Sequence, residues 1–453
     1  MAALDLSQPQ RVHVVAIGGA AMNAMALILQ AMGHRVTGSD IADSPVVERL
    51  RASGIVVAIG HDGAHVGDAD VVAISTAVRD DNPEVVAARA AGIPVVTRPE
   101  LQGAICALRK PVAVAGTHGK TTTTAMLALA LRAAGLDPSF IVGGVVTGLG
   151  SGTSWTDADL LVVEADESDG TFLTLGANAV IVTNVEPDHL DHWGSFDALR
   201  DGFARFVAAA PGPKVVCADD AGSAAIAATV AGCTTYGTSD GADYRWRDGI
   251  VTCPDGAQIP LASPVPGLHN ARNATAAFAM ADLLGADRTA VAAALASFAG
   301  VARRWEPRGT AAGVAFVDSY DHLPSEVKAV LSAAREGVWK RIVCVFEPHR
   351  ATRTRDLHRQ FADAFDDADV LAVTDIYLPA GQQPIPGVTG KLVVDAVLEA
   401  RPWKRVAWLP RRSDVRSWLL AELRPGDLCL TLGAGDLTTL PDEIIPALQA
   451  RGA

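Results

Sequence analysis

Residues 111–136 constrain this chain more than any other stretch, because they predict a strand, a glycine turn and a helix in direct succession. The apolar residues around Val112 and Val114 are typical of a short buried strand. The Ala- and Leu-rich residues that follow predict a helix that ends at Gly135. A strand that turns into a helix in this way is the basic unit of an α/β sheet that binds phosphates.

The turn between this strand and helix carries the residue types that bind phosphate. Gly116 and Gly119 allow successive backbone N–H groups to face an anion. Lys120 offers a positive charge to phosphates, and the Thr121 hydroxyl stands where a phosphate-bound Mg²⁺ needs an oxygen ligand. Val114 occupies the first glycine position of the longer pattern, so the match is to G-x-x-G-K-T. Such a turn can also begin an ordinary helix, but the strand before it favours a nucleoside-triphosphate site.

The composition indicates a globular protein with several domains. Its 453 residues predict about three domains, and the net charge of −13 argues against a nucleic-acid surface. We expect a cytoplasmic protein, because the sequence shows neither a signal-peptide pattern nor an uncharged apolar run of membrane-span length. The six cysteines contain no C-x-x-C pair, which predicts reduced thiols and neither a zinc site nor disulfides.

The first hundred residues predict a nucleotide-binding βαβ unit. A buried strand over residues 11–18 runs into Gly18-Gly19, a helix continues to Gly33, and a second strand ends at Asp40. The helix N-terminus suits a phosphate, and Asp40 suits a ribose hydroxyl. The glycines do not spell G-x-G-x-x-G, so three alternatives stay open: an NAD site, a nucleotide-sugar diphosphate site, or no ligand.

Two central strands end in polar side chains. Glu164 and Asp166 follow one strand, and Asn184, Asp188 and His189 follow the next. The carboxyl ends of parallel strands meet at one edge of a sheet, where ligands bind. Although such clusters also occur as solvated strand ends, the phosphate loop favours metal–phosphate chemistry at Glu164 and His189.

Two further groups suggest ligand sites. Asn270 and Asn273 lie in the first turn of an Ala-rich helix, where they could cap the helix or face an adenine. In the last third of the chain, His322, Arg350 and Arg353 lie at predicted strand ends. These cations could be solubility groups, but in an acidic protein they fit an anion site better.

With these motifs in view, the sequence resembles the Mur ligases, the ATP-dependent amide-forming enzymes of peptidoglycan precursor synthesis. Within the family it is most similar to the ligases that join L-alanine to UDP-N-acetylmuramate. The resemblance covers nearly the whole chain and is carried by motifs that occur in one order: G-G-A-A-M, G-S-D, S-T-A-V, D-N-P-E-V, G-T-H-G-K-T-T-T-T, V-E-A-D-E-S-D-G-T-F-L, T-N-V-E-P-D-H-L-D, G-L-H-N-A-R-N-A, F-A-G-V-A-R-R-W-E, P-H-R-A-T-R-T-R-D-L and L-G-A-G-D-L.

The resemblance implies an α/β protein of three domains. Residues 1–108 would form a Rossmann-like domain for the UDP part of the substrate. Residues 109–300 would form a central ATP-binding domain with a doubly wound sheet, and residues 301–453 a Rossmann-like domain for the amino acid. The implied cofactors are ATP and Mg²⁺, and the implied substrates are UDP-N-acetylmuramate and L-alanine. No nucleic-acid or membrane partner is expected, and the protein would be a monomer or homodimer.

Functional positions of the family carry over to four overlapping sets of residues. The catalytic set is Lys120, Glu164, His189 and Arg304. The ATP-binding set is Gly116, Thr117, His118, Gly119, Lys120, Thr121, Thr122, Asn270, Asn273 and Arg304. The substrate-binding set is Gly18, Gly19, Asp40, Thr76, Tyr320, His322, Arg350 and Arg353. The metal-binding set is Thr121, Glu164 and His189.

The implied chemistry has two steps. The muramoyl carboxylate attacks the γ-phosphate of ATP to give an acyl phosphate, and the amine of L-alanine then attacks its carbonyl carbon and expels phosphate. Two Mg²⁺ ions, Lys120 and Arg304 would neutralise charge on the transferring phosphoryl group. Arg350 or Arg353 would pair with the carboxylate of the amino acid.

Three of the family motifs are altered in this chain. The motif D-D-Y-A/G-H-H-P reads D-S-Y-D-H-L-P here, so Ser319 replaces an aspartate that lies by the ATP in the family, and Asp318 or Asp321 could compensate. Ala351 replaces the tyrosine of P-H-R-Y-S/T-R, and Ala21 replaces a glycine of G-G-A-G-M-S. Two alternatives therefore stay open: a ligase for a different amino acid or peptide, and a catalytically weakened nucleotide-binding paralogue. On the family pattern, Ser319→Asp is expected to preserve or raise activity.

Overall fold

The computed structural model describes residues 4–379 and 382–452. The chain divides into two compact units, one of Met1–Pro264 with Ala271–Phe298 and the other of Val265–Asn270 with Ala299–Ala453. The described residues form two sheets in the first unit and one in the second. The predicted three-domain α/β fold is thereby confirmed, while the boundaries at residues 108 and 300 stay a prediction.

The N-terminal sheet is entirely parallel. Its strands are β1 (Arg11–Val15), β2 (Arg35–Asp40), β3 (Val56–Ile59), β4 (Val71–Ile74) and β5 (Val95–Thr97), and its helices are α1 (Ala20–Ala31), α2 (Pro45–Ala52), α3 (Pro83–Ala90) and α4 (Arg98–Cys106). The strand order is β3-β2-β1-β4-β5. β1 ends before the predicted residue 18, because Ala16 adopts a φ of 60° and turns the chain.

The central sheet carries the phosphate loop. Its strands are β6 (Lys110–Ala115), β7 (Ser139–Val146), β8 (Ser151–Ser154), β9 (Leu160–Glu164), β10 (Ala179–Val182), β11 (Lys214–Cys217), β12 (Cys233–Gly237), β13 (Tyr244–Arg247), β14 (Ile250–Thr252) and β15 (Gln258–Pro260). The helices are α5 (Lys120–Ala133), α6 (Leu190–Trp193), α7 (Phe196–Ala209), α8 (Ala221–Thr229), α9 (Leu268–Leu283) and α10 (Arg288–Ala296). The strand order is β15-β14-β13-β12-β11-β10-β6-β9-β7-β8. β6 therefore lies between the two strands whose polar ends were predicted to bind metal.

The C-terminal sheet has its own core. Its strands are β16 (Glu306–Ala311), β17 (Val314–Ser319), β18 (Arg341–Phe346), β19 (Val370–Val373), β20 (Val406–Trp408) and β21 (Asp427–Leu432), and its helices are α11 (Pro324–Arg335), α12 (Ala351–Leu357), α13 (Lys391–Ala400), α14 (Arg412–Glu422) and α15 (Leu440–Gly452). The order is β16-β17-β21-β18-β19-β20, with β16 antiparallel to β17. The sheet packs against two separate clusters of buried apolar side chains.

One apolar core joins the N-terminal and central sheets. Leu101 and Ile105 of α4 belong to the same buried cluster as Phe172, which follows β9. The guanidinium of Arg98, also on α4, lies 2.5 Å from the carboxylate of Asp169 and is 11% exposed. Because apolar burial is the main source of folding free energy, these two sheets stabilise each other.

Two sequence predictions about the whole chain can be compared with the structure. No helix in the described ranges is both long enough and apolar enough to cross a bilayer. All six cysteines are free thiols, and five of them are buried. Burial raises the pKa of Cys106 to about 12, so this thiol stays protonated and unreactive at neutral pH.

A buried carboxylate ties α3 to the carboxyl end of β2. Glu84 is fully buried, and its Oε2 accepts a hydrogen bond from Ser39 Oγ at 2.6 Å. Nδ1 of His65 lies 2.9 Å from Glu84 Oε1, Nδ1 of His61 lies 3.2 Å from Oε2, and Nε2 of His13 lies 3.8 Å from Oε2. Burial alone would raise the pKa of Glu84, but hydrogen bonds from His13, Ser39 and His65 outweigh it and lower this pKa to about 2.

We expect Glu84→Gln to flatten the acid dependence of stability. The folded pKa of Glu84 lies below its ordinary value of 4.5. The ionised carboxylate therefore adds its full share to the free energy of unfolding above about pH 5, and this share is lost as the pH falls toward 2. The contribution is about 3 kcal/mol at most. Between pH 7 and 3.5, the midpoint of thermal unfolding should fall more steeply for the wild type than for Glu84→Gln.

The control is Asp68→Asn, which removes a carboxylate that is 62% exposed in the connection before β4. Its midpoint should follow the wild-type curve. Parallel curves for the wild type and Glu84→Gln would contradict the assigned role of the buried carboxylate.

Candidate active site

The phosphate loop, residues 116–119, connects β6 to the N-terminus of α5. Gly116 has a φ of 138°, and a Cβ atom there would lie 2.0 Å from Thr183 Oγ1, so glycine is required. A Cβ atom on Gly119 would lie 2.7 Å from Asn273 Oδ1, which shows how closely Asn273 approaches the loop. Thr122, the next predicted ATP-binding residue, is buried in the first turn of α5.

Residues that follow β10 fix the shape of this loop. Asn184 Oδ1 accepts a hydrogen bond from His118 N at 2.8 Å, and its Nδ2 donates to His118 O at 3.1 Å. Thr183 Oγ1 donates to the same carbonyl at 2.5 Å, and Thr117 Oγ1 accepts from Glu186 N at 2.9 Å. Asn184 was interpreted from the sequence as part of a ligand cluster, and in the structure its side chain holds the loop backbone.

Lys120 lies across the loop as a charged ammonium group. Its Nζ donates to Gly116 O at 2.6 Å, to Thr117 O at 3.3 Å and to the carboxylate of Glu167 at 2.9 Å. Burial works to lower the pKa of Lys120, but nearby carboxylates, Glu167 first, more than offset it and raise this pKa. Burial also raises the pKa of Glu167 to about 7. Glu167 was not identified from the sequence, although it lies in the motif that contains Glu164.

The oxygen-bearing side chains of Thr121 and Glu164 form a hydrogen-bonded pair beside the loop. Thr121 Oγ1 donates to Glu164 Oε1 at 3.0 Å, and Gly143 N donates to Glu164 Oε2 at 2.9 Å. A Cβ atom on Gly143 would lie 2.5 Å from that oxygen, so glycine is needed for this contact. A hydroxyl and a carboxylate suit Mg²⁺. In the described part of the chain no three His, Cys, Asp or Glu side chains form a metal site, so a cation here needs additional oxygens such as those of a phosphate.

His189 lies beyond the carboxyl end of β10. Its Nε2 is 3.2 Å from Asp188 Oδ2, and the backbone at His189 has a φ of 52°. β10 and β9 flank β6, so His189 and Glu164 follow the strands on either side of the phosphate-loop strand.

The N-terminal candidate residues follow neighbouring strands. Asp40, at the end of β2, accepts a hydrogen bond from Gly18 N at 2.9 Å through Oδ2. Gly19 is the N-cap of α1, and Thr76 is exposed after β4. Ala21, which replaces a family glycine, is exposed in the first turn of α1. Because β1 lies between β2 and β4, these residues share the carboxyl edge of one sheet.

Helix α9 carries both predicted asparagines. Asn270 Nδ2 donates to Pro266 O at 2.7 Å and so holds the chain that enters the helix. Arg272 Nε lies 2.7 Å from Asp219 Oδ2. Burial would raise the pKa of Asp219, but Ser239, Thr238 and Arg272 lower it to about 2. The sequence predicted only a turn here, whereas in the structure the ionised Asp219 carboxylate pairs with Arg272 of α9.

The ring of Tyr320 contacts two guanidinium groups in the C-terminal unit. The guanidinium carbons of Arg303 and Arg304 each lie 4.9 Å from the centre of the Tyr320 ring. The ring of His322 meets Tyr320 edge-on at 5.4 Å, and His322 Nδ1 lies 2.9 Å from Tyr320 O. The structure therefore brings together three predicted residues, Arg304, Tyr320 and His322.

His349 connects this group to the predicted arginines. Its ring centre lies 5.3 Å from that of His322 and stacks on Tyr377 at 5.9 Å. Burial, followed by His322 and the nearby guanidinium groups, lowers the pKa of His349 to about 2. The neutral imidazole therefore accepts a hydrogen bond from Arg353 Nη1 at 3.1 Å. Arg350 Nε is buried, with no hydrogen-bond partner among the described residues. His349 was missed by the sequence reasoning, although it precedes Arg350 in the same motif.

Ser319 is integrated into a buried hydrogen-bond network. Its Oγ accepts from Trp305 N at 3.1 Å and donates to Asp321 Oδ2, and Ser319 is only 2% exposed. The carboxylate of Asp318 accepts from two threonine hydroxyls at 2.6 and 2.7 Å. Asp321 is therefore the carboxylate that lies beside the serine. Ala351, where the family has tyrosine, is buried at the start of α12.

Comparison with known proteins covers almost the entire chain. Three family models match in sequence order: "Mur ligase family, catalytic domain" at residues 11–110, "Mur ligase middle domain" at 114–281 and "Mur ligase, glutamate ligase domain" at 303–435. The UDP-N-acetylmuramate--L-alanine ligase of Anaeromyxobacter sp. is 45% identical and covers 98% of this chain and 99% of its own length. The enzyme of the same name from Kineococcus radiotolerans is 47% identical, with 97% of each chain covered.

Solved structures show the same similarity. The UDP-N-acetylmuramate-alanine ligase of Thermotoga maritima superposes with a TM-score of 0.83 at 29% identity, covering 98% of this chain and 100% of that one. A murein peptide ligase from Psychrobacter arcticus has a TM-score of 0.72 at 25% identity, covering 97% and 99%.

We expect Ser319→Asp to destabilise the C-terminal unit, whereas the expectation from the sequence concerned activity alone. The substitution would replace a buried hydroxyl that donates to Asp321, so two carboxylates would share one site. The cost should be about 2–3 kcal/mol, against about 1 kcal/mol for the control Ser319→Ala. Thermal unfolding at pH 7 measures both.

Lowering the pH to 5 should restore part of the stability of Ser319→Asp, because one carboxylate of the pair can then take up a proton. Ser319→Ala should show no such recovery. A Ser319→Asp midpoint equal to that of the wild type at pH 7 would contradict the structure.

Proposed function

The chain belongs to the Mur ligase family, and from that premise we infer that it is an ATP-dependent ligase that joins L-alanine to the carboxylate of UDP-N-acetylmuramate in peptidoglycan precursor synthesis. The observation that carries this conclusion is the end-to-end similarity to ligases of that name, at 45 and 47% identity. The residue roles that follow are part of the proposal and are supported by the geometry of the sites.

The central sheet binds the triphosphate of ATP. The N-terminus of α5 faces its phosphates, and Lys120 supplies a positive charge. Thr121 and Glu164 would hold Mg²⁺, and His189 would hold a second Mg²⁺. When bound, these ions neutralise charge and polarise the phosphoryl oxygens. Asn273, which lies against the loop, and Asn270 on the same helix would contact the adenosine.

The N-terminal sheet binds the UDP part of the acceptor through Gly18, Gly19, Asp40 and Thr76. The muramoyl carboxylate then attacks the γ-phosphate of ATP, and the P–O bond to ADP breaks. The product is an acyl phosphate, whose phosphate is a good leaving group. The protein contributes by orienting the reactants and by placing Lys120 against the developing charge.

The C-terminal unit binds L-alanine. Arg350 and Arg353 would pair with its carboxylate, and the unpartnered, buried Nε of Arg350 supports an anion at this place. Tyr320 and His322 would line the pocket. The neutral amine attacks the acyl carbon, the tetrahedral intermediate collapses, and phosphate leaves as the amide bond forms.

Two finer assignments belong to this proposal. We place the enzyme in the cytoplasm, because ATP and UDP-linked sugars are supplied there. We also propose that it is a monomer or homodimer that acts without nucleic-acid or membrane partners, which light scattering and sedimentation can test.

A phosphate-release assay tests the function. ATP, Mg²⁺ and UDP-N-acetylmuramate are supplied with L-alanine, glycine or L-serine, and phosphate release should be fastest with L-alanine. A preference for another amino acid would indicate a related ligase. Release that does not rise when acceptor and amino acid are added together would indicate a nucleotide-binding paralogue without ligase activity.

We expect Lys120→Ala to lower turnover by at least about 10³-fold, because charge on the transferring phosphoryl group would lose its closest protein cation. The matched control is Lys110→Ala, which removes a lysine that is 62% exposed at the opposite end of β6. The control should keep wild-type activity, and circular dichroism should show that both variants are folded. Full activity of Lys120→Ala would refute the assignment of the phosphate loop.

A further inference from the structure

All three N–H donors of the Lys120 ammonium group are matched by acceptors within the protein. Nζ lies 2.6 Å from Gly116 O, 3.3 Å from Thr117 O and 2.9 Å from a carboxylate oxygen of Glu167. An ammonium group has three donors and no acceptor. A phosphate oxygen that binds Lys120 must therefore displace one of these acceptors or share its donor.

Glu167 is the strongest of the three competitors. The other two acceptors are neutral carbonyls of the phosphate loop, whereas Glu167 offers a carboxylate, and charge-assisted hydrogen bonds are about twice as strong as neutral ones. The Glu167 side chain is 2% exposed, so solvent screens the pair weakly. Lys120 is the cation that the described residues place in contact with this carboxylate.

The backbone of Glu167 is anchored, so its carboxylate cannot follow the ammonium far. Trp193 Nε1 donates to Glu167 O at 2.9 Å, and Gly170 N donates to the same oxygen at 3.2 Å. The Trp193 ring packs edge-on against Phe172 at 6.0 Å between ring centres. The competing charge therefore stays beside the phosphate loop whether or not a nucleotide is bound.

We propose that Glu167 is an internal counter-ion that competes with nucleotide phosphates for Lys120 and so speeds the release of ADP. The proposal rests on the phosphate-binding role of Lys120 given above. A fixed carboxylate beside the phosphates weakens nucleotide binding, and after the reaction it takes the ammonium back. Glu167 is thus a positioning residue that lowers nucleotide affinity and favours turnover.

The test is Glu167→Gln, which keeps the shape and one acceptor oxygen but removes the charge. Calorimetry with MgADP should show about tenfold tighter binding than the wild type. Stopped-flow release of a fluorescent methylanthraniloyl ADP should slow by a similar factor, and inhibition of ligation by ADP should strengthen while kcat falls. All measurements are made at pH 8, above the pKa of about 7 of Glu167, so that the wild-type carboxylate is ionised.

Two further variants sharpen the result. Glu167→Asp keeps the charge but lengthens the pair with Lys120, so MgADP should bind about threefold tighter than to the wild type. If Glu167→Gln does not fold, Glu167→Asp still tests the proposal. Asp159→Asn breaks the exposed Lys110–Asp159 pair at the other end of β6 and should leave MgADP affinity unchanged.

The outcomes separate this inference from the proposed function. A purely structural role of Glu167 would make Glu167→Gln bind MgADP more weakly and turn over more slowly, which overturns the inference. Unchanged affinity in both Glu167 variants overturns it as well. If the wild type itself binds no MgADP, the proposed function fails; if the wild type binds and neither variant binds more tightly, only this inference fails.

Discussion

The central site depends on hydrogen bonds that occupy the carbonyl oxygens of the phosphate loop. A loop that holds an anion must turn its carbonyls away, because their negative ends repel the ligand. Lys120 donates to the carbonyls of Gly116 and Thr117, while Thr183 and Asn184 donate to that of His118. Three consecutive carbonyls are thereby engaged before any ligand arrives. The backbone shape of the loop is therefore set before a ligand binds.

At the carboxyl edge of the central sheet, carboxylates and an ammonium group lie close together. Glu164 and Glu167 lie close to Lys120, and a chain with a net charge of −13 could easily repel an anionic substrate from such a place. The oxygens are directed by other groups, since Thr121 and Gly143 hold Glu164 and Trp193 anchors the backbone of Glu167. On the proposed function, a divalent cation at Glu164 and the ammonium group of Lys120 would face the phosphates together.

Local sequence signals predicted the main strands and helices of the fold well. Apolar runs and glycine turns identified β6, β9, β10 and the helix after the phosphate loop, because buried parallel strands read as continuous apolar segments. The partners that complete the site could not be predicted in this way. Gly143 meets Glu164 only because β7 lies beside β9, and Asn184 reaches His118 only because β10 lies beside β6. Such contacts depend on strand order, which no short motif encodes. The buried role of Ser319 likewise depends on Trp305, fourteen residues earlier.

The core shared by the first two sheets has a consequence for how this chain can evolve. Leu101 and Ile105 of α4 pack in one cluster with Phe172. Separating the two sheets would therefore expose a large patch of apolar side chains on both fragments. The N-terminal portion is therefore not an independent module that could be exchanged between enzymes by simple recombination. On the proposed function, a new acceptor specificity would have to arise from substitutions at the sheet edge, with the shared interior left intact.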